Sequence, residues 1–330
     1  ILSWSGDNTL RLWDRDGNPI KTLTGHTDLV RGARELRDGR LLSWSRDTTL
    51  QLWDSDGNLM NTLIGHTDNI WDVIELQDGR ILSWSYDDTL RLWDSDGNPI
   101  RSMSSDGHFV SGARELHDGR ILSWGGEGNL VLWDSEGNPI KTLIGHADLI
   151  VDALELGDGR ILSLSQDRTL RVWDNDGAEL AIFSGHTDVI TGAIEMQNGN
   201  ILSWSVDTTL RLWSSGNNLS KTLTAHTDNI TNAIQLSNGR ILSWANDATL
   251  HLWDSDGNLI TPLYKHTESV SGAIELRDGR LLSWAGDGNL VLWDNDGNLI
   301  TTLIGHTDWV YGAIELSDGR LLSWSRDGTL

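Results

Sequence analysis

The chain has 330 residues with 25 Lys and Arg against 48 Asp and Glu, a formal charge of −23, so its surface repels phosphate backbones and nucleic acid is not the expected partner. It has no cysteine, which excludes a disulfide framework and any thiolate metal site. No run of eighteen apolar residues occurs and the first residues, ILSWSGD, are not a charged-then-apolar leader, so neither a membrane span nor a signal segment is predicted.

In chain order the predicted elements repeat. ILSWS or a close variant begins at 1, 41, 81, 121, 161, 201, 241, 281 and 321, a period of 40 residues without an insertion. That makes eight and a quarter units, with residues 321–330 duplicating 1–10. Short apolar runs separated by Gly, Asp and Asn clusters predict four strands per unit. In the first complete unit, strand a falls near 29–36, b near 40–45, c near 49–53 and d near 58–63. The DGR and DSDGN segments put glycine where a tight turn needs positive φ, and SxDxT turns strand b into c.

A four-stranded antiparallel unit of this size buries both faces only by stacking on its neighbours, and a twisted sheet repeated radially closes into a propeller. Eight of the 18 tryptophans lie on strand b (Trp4, Trp44 and their equivalents) and eight on strand c (Trp13, Trp53 and theirs), with Leu164 the one exception on b. They are the predicted core, each ring burying on the order of 150–250 Å².

The GH pair, the SxD turn and the WD dipeptide at a period near forty resemble the WD-repeat family over the whole chain. The resemblance implies an all-β propeller with a hydrogen-bonded chain of His, strand-b Ser, turn Asp and strand-c Trp in each blade. Those residues are His26, Ser43, Asp47 and Trp53 in the first complete blade, and His66, Ser83, Asp87 and Trp93 in the next. Of the two strand-b serines the first is chosen, because it is Ser in all nine copies while the second becomes Gly125, Ala245 and Ala285. A buried indole N–H, hydroxyl and imidazole each need a partner, and a chain ending in a carboxylate satisfies them together. The same residue types suit a nucleophilic triad, but recurrence in nearly every blade is what a structural network predicts and a single active site does not. One unit departs: Asp106 replaces the histidine, His108 lies two residues on, and Glu127 replaces the turn aspartate.

Seven units are complete. Residues 1–23 supply strands b, c and d, and 309–316 a further strand a, so the expectation is one domain spanning 1–330: an eight-bladed propeller closed by the two chain ends, with seven or nine blades as alternatives. The phase of the cut suggests an excerpt of a longer chain. In bacterial proteins of this kind, near-identical WD-repeat arrays form the sensor of a larger signalling chain, which implies fusion to other domains. A cytoplasmic location is expected.

Comparison of the copies shows a constant framework and four variable sites near the d–a and b–c turns. These sites hold five of the seven aromatic residues outside the repeat tryptophans: Trp71, Tyr86, Phe109, Trp309 and Tyr311. Arg31, Arg46 and Arg168 occupy the same sites. Aromatic and arginine side chains carry binding energy in protein interfaces, so these eight residues are the predicted binding surface. Closure of the blades in order would set Trp309, Tyr311, Arg31, Arg46, Trp71 and Tyr86 along one arc.

The expected function is non-catalytic recognition of a protein or peptide. The alternatives are a glycan- or small-ligand-binding propeller with repeated pockets between blades, and a scaffold with no ligand of its own. No phosphate loop, HExxH or nucleophile elbow occurs, and neither a cofactor nor a metal is predicted. Paired aspartates in WDSDGN have the look of a calcium loop but too few ligands. The strand-a carboxylates Glu35, Glu75 and their equivalents are expected to line the central channel, where Arg40 could pair with Glu35 across its hairpin.

Overall fold

A computed structural model describes residues 1–104, 109–214 and 219–330, with the backbone alone for Leu219 and Ser220. The first complete sheet consists of strands Val30–Glu35, Leu41–Ser45, Thr49–Trp53 and Leu59–Ile64, here a to d. Six more four-stranded sheets follow, each meandering in sequence order. Neighbouring strands run antiparallel, with Ser43 opposite Gln51 and Leu50 opposite Leu63. A register shift between Val30 and Gly32 recurs between Ile70 and Asp72. Such bulges strengthen local twist, which suits sheets stacked face to face.

The chain ends form smaller sheets. Strands Leu2–Trp4, Thr9–Trp13 and Pro19–Thr24 make a sheet of three. Strand Val310–Glu315 pairs with Leu321–Ser325 in a sheet of two. The copy of strand b that pairs with the last strand a is therefore 321–325. The hairpin through Gly319, whose φ is 84°, brings these strands together with little loop-closure entropy. Trp4, on the edge strand of the three-stranded sheet, is 45% exposed, unlike the buried tryptophans at equivalent positions such as Trp44 and Trp84.

By compactness the chain comprises two units. One contains residues 1–155, 159–163 and 173–179, the other 156–158, 164–172 and 180–330. Within each, the core lies between successive sheets. In the first unit Trp53 packs with Leu10, Leu23 and Val30, so the strand-c tryptophan of one blade seals against the blade before it. Trp93 repeats the arrangement on Leu42, Leu50 and Leu63. In the second unit Trp293 packs on Leu242, Leu252 and Leu263. The strand-b tryptophan lies across strand a instead, and a methyl group added to Gly32 would fall 2.1 Å from Cζ2 of Trp44.

Backbone polar groups add a second seam between blades. The Glu75 carboxylate accepts the N–H of Arg37 at 3.0 Å, and Glu115 accepts that of Gln77 at 2.7 Å. Gln235 serves Gln197 in the same way at 2.8 Å, using its amide oxygen. Pairing of Arg40 with Glu35 across the hairpin does not form: Arg40 Nε donates to Asp38 at 2.7 Å, because the turn puts that carboxylate two residues away. The paired aspartates of WDSDGN are hairpin groups. Asp54 Oδ1 accepts the N–H groups of Asp56 and Asn58 at 3.0 and 2.7 Å, and Oδ2 accepts the Asn58 amide at 2.7 Å, which commits the carboxylate to the turn.

Candidate functional site

The buried polar chain is built at the junction of the d–a loop, strand b and the b–c turn. In the first complete blade the Trp53 indole N–H donates to Ser43 Oγ at 2.9 Å, Ser43 lies 2.8 Å from His26 Nε2, and His26 Nδ1 lies 2.9 Å from Asp47 Oδ2. An indole can only donate, so Ser43 accepts there and directs its own hydrogen to Nε2, leaving the imidazole proton on Nδ1 for Asp47. Asp47 also accepts the Thr27 N–H at 2.8 Å and the Thr49 hydroxyl at 2.7 Å. Burial pushes the Asp47 carboxyl up, but the bonds from His26, Thr49 and Thr27 outweigh it and hold the group far below the usual carboxylate range.

His66, Ser83, Asp87 and Trp93 are joined at 2.9, 2.8 and 2.9 Å in the same order of contacts. There burial lowers the His66 pKa against the opposing pull of Asp87. Ser43 and Ser83 have no exposed surface, so an acyl group has no approach to either hydroxyl. In the departing blade Asp106 and His108 lie outside the described residues. Glu127 there adopts a left-handed φ of 64°, and Trp133 still donates to Ser123 at 2.9 Å.

At the surface above these chains, in the first unit, four of the predicted binding residues meet. The Trp71 ring centroid lies 5.1 Å from that of Tyr86 at 74°, and 6.1 Å from Phe109 at 90°. Tyr86 and Phe109 are 5.4 Å apart. The Arg31 guanidinium lies 5.4 Å from the Trp71 centroid and 5.5 Å from that of Tyr86. The cluster joins three successive blades: Arg31 from the first, Trp71 and Tyr86 from the second, Phe109 from the loop into the third. Edge-to-face contacts and the cation over the rings fix the group without burying it. Trp71 is 38% and Tyr86 37% exposed.

The other predicted residues are placed separately. Arg46 is exposed on its b–c turn, and no ring contact joins it to the group among the described residues. Trp309, Tyr311 and Arg168 belong to the second unit. The half-buried Trp309 ring covers Gly286, while Tyr311 is 57% exposed. Arg168 is exposed, with a left-handed φ of 69°.

That φ explains part of the sequence variation. The third residue of the b–c turn is left-handed at Asn8, Thr48, Asp88, Arg168, Thr208 and Ala248, and at Gly128, Gly288 and Gly328 where glycine occupies it. This site therefore varies under a backbone demand that favours Gly and Asn. The recurring glycines were the signal for it. A further cluster escaped sequence reasoning altogether: His251, from strand c of the blade ending at 264, stands 4.3 Å, centroid to centroid, from His226.

Seven sequential four-stranded meanders stacked through tryptophans define a β-propeller, whose blades carry a buried His–Ser–Asp–Trp chain. The computationally designed Ika8 protein has the same fold, with a TM-score of 0.72 at 23% identity over 93% of this chain and 96% of that one. So does the WD40 β-propeller domain of Doa1, with a TM-score of 0.54 at 23% identity over 82% of this chain and 94% of that one. No curated protein sequence matches significantly. The family model "WD domain, G-beta repeat" matches residues 17–54, 57–94 and 137–174. The fold is that of a β-propeller, and the three matched segments are WD40 repeats. Propellers of this kind generally serve as non-catalytic scaffolds for protein interaction. No helix is long and apolar enough to cross a membrane, among the described residues.

Proposed function

We propose that the chain binds a protein or peptide through the surface formed by Arg31, Trp71, Tyr86 and Phe109, and performs no chemistry on it. The observation that carries the reading is the contact between these four side chains: positions that vary between repeats converge, across three blades, on one exposed aromatic group held by a cation. Neutral drift at exposed turns varies residues but has no reason to assemble them. The rings supply rigid apolar area at low entropic cost, and Arg31 supplies donors for a carboxylate or backbone carbonyl. Trp309 and Tyr311 are proposed as a second contact patch on the same grounds of position and residue type.

The test is selection of a displayed peptide library on the whole chain, followed by titration of the enriched peptides against Trp71→Ala and Phe109→Ala. A hot-spot ring is worth about 2 kcal/mol, so each substitution should weaken binding roughly thirty-fold while circular dichroism stays unchanged. Peptides that bind both variants as tightly as the parent would refute the assignment. Several equivalent sites per chain would point instead to repeated pockets between blades.

A further inference from the structure

Strand c of the blade formed by Ile230–Gln235, Ile241–Ala245, Thr249–Trp253 and Leu259–Tyr264 carries a substitution found in no other copy. The third residue of strand c is Arg11, Gln51, Arg91, Val131, Arg171, Arg211 or Val291 elsewhere, and His251 here. The change is matched across the blade. In other units the long side chain lies over a glycine: a methyl group on Gly65 would fall 2.6 Å from Arg91 Nη1, and one on Gly185 2.4 Å from Arg211 Nη1. In this blade that glycine is Ala225. The imidazole turns instead toward the polar chain of its own blade.

His226, Ser243 and Asp247 keep the usual bonds, with His226 Nδ1 3.0 Å from Asp247 Oδ2 and Nε2 2.9 Å from Ser243 Oγ. His251 Nε2 lies 3.0 Å from the Thr249 hydroxyl. That hydroxyl donates to Asp247 Oδ1 at 2.6 Å and stands 3.3 Å from His226 Nδ1. One ligand atom each of His226, Asp247 and His251 thus falls within 4.8 Å of the other two. His251 is 3% exposed, and its Nδ1 is buried without a hydrogen-bond partner. A buried nitrogen of this kind is costly unless some other interaction repays it. Tyr264, 68% exposed, meets His251 edge to face with ring centroids 6.4 Å apart.

We propose that His226, Asp247 and His251 form a binding site for one divalent transition-metal ion of the zinc class. Two imidazole nitrogens and a carboxylate suit Zn²⁺, with the Thr249 hydroxyl or water completing a tetrahedron. Bonds of about 2.1 Å put neighbouring ligands roughly 3.4 Å apart, so the His226–Asp247 edge is already formed and only His251 closes in. For His226 to bind through Nδ1 its proton must move to Nε2, and the Ser243 hydroxyl, which accepts the Trp253 indole N–H, must then turn its own hydrogen away from the ring. The other blades that have a His–Asp pair lack the third ligand, so the site belongs to this blade alone among the described residues.

The experiment uses the whole chain without an affinity tag, titrated with Zn²⁺ and, as a spectroscopic probe, Co²⁺. The comparison is Ala225→Gly/His251→Arg, which rebuilds the pair seen at Gly185 and Arg211, with His251→Gln as a second variant should the first fail to fold. The parent should retain one zinc per chain after desalting, show the visible bands of tetrahedral Co²⁺ and melt higher with zinc. The folded variant should bind at least tenfold more weakly and lose the bands. Equal stoichiometry and affinity in parent and variant, or a parent that retains no zinc, would overturn the proposal.

Discussion

Replacing Ser43 by alanine tests the buried chain most directly. The substitution removes one oxygen with two partners, leaving the Trp53 indole N–H and the His26 Nε2 without theirs. Trp53 is 2% exposed and Ser43 fully buried, so water cannot easily take the place of the hydroxyl. At about 1–3 kcal/mol for each of the two orphaned groups, the loss should be roughly 2–6 kcal/mol. The control lies two residues away. Ser45, also without exposed surface, donates to the Asp28 carbonyl at 2.9 Å and accepts the Asp47 N–H at 3.1 Å. Alanine already stands at the equivalent positions 245 and 285, in sheets with the same strand order. Ser45→Ala should therefore cost about 1 kcal/mol or less. Urea unfolding gives the total, and hydrogen exchange over residues 30–64 locates it, since a repeat array can open one blade before the rest. If Ser45→Ala costs as much as Ser43→Ala, the serine hydroxyl is not what the tryptophan and histidine depend on.

Three further outcomes follow from the same coordinates. Burial raises Asp47 and Asp87, but bonds from their histidines, threonines and backbone N–H groups lower both on balance, as for Asp207; groups with depressed folded pKa values stabilise above the unfolded value of 3.8 and lose that contribution as pH falls below it. The urea midpoint should accordingly drop between pH 5 and 3, and Asp47→Asn should flatten the drop; an unchanged slope would remove these carboxylates from the explanation. Thr48 holds a φ of 69°, a conformation in which a β-branched residue is strained; Thr48→Gly should raise stability by about 0.5–1 kcal/mol in the same unfolding assay. Ile64, Ile144 and Ile304 are 74, 76 and 83% exposed on outer strands where sister blades carry Thr24 and Thr224; changing all three to Thr should reduce light scattering at high concentration and move stability by less than about 0.5 kcal/mol per site.

The strands were legible in the sequence to within a residue, because apolar alternation and glycine turns recur every forty residues and each copy checks the others. The His, Ser, Asp and Trp positions were legible for a related reason: a residue kept in all or nearly all copies that otherwise drift is held by its neighbours in three dimensions. What the residues could not disclose is contact with partners that have no sequence signature. The acceptor role of Glu75 depends on a backbone N–H one blade away, and every residue has one of those. Pairing of the last strand a with 321–325 rather than with 1–5, two segments that differ only at Ile1 and Leu321, depends on the short hairpin through Gly319 and not on which fits better.

Variation among the copies had two causes that sequence alone merges. At positions 48, 88 and 168 the backbone is left-handed, so residue choice answers to φ as well as to any ligand, and Gly288 shows the relaxed solution. At 31, 71, 86 and 109 nothing in the turn geometry asks for Arg, Trp, Tyr or Phe, yet their side chains meet within 5.1–6.1 Å. Exchange of residues between blades separates the two causes. Moving Thr48 to Asn, the residue at position 8, should change stability and leave binding alone, whereas moving Trp71 to Thr, the residue at positions 191 and 231, should abolish binding and leave stability within about 0.5 kcal/mol. A binding loss from the first exchange and none from the second would place recognition on the turn backbone rather than on the rings.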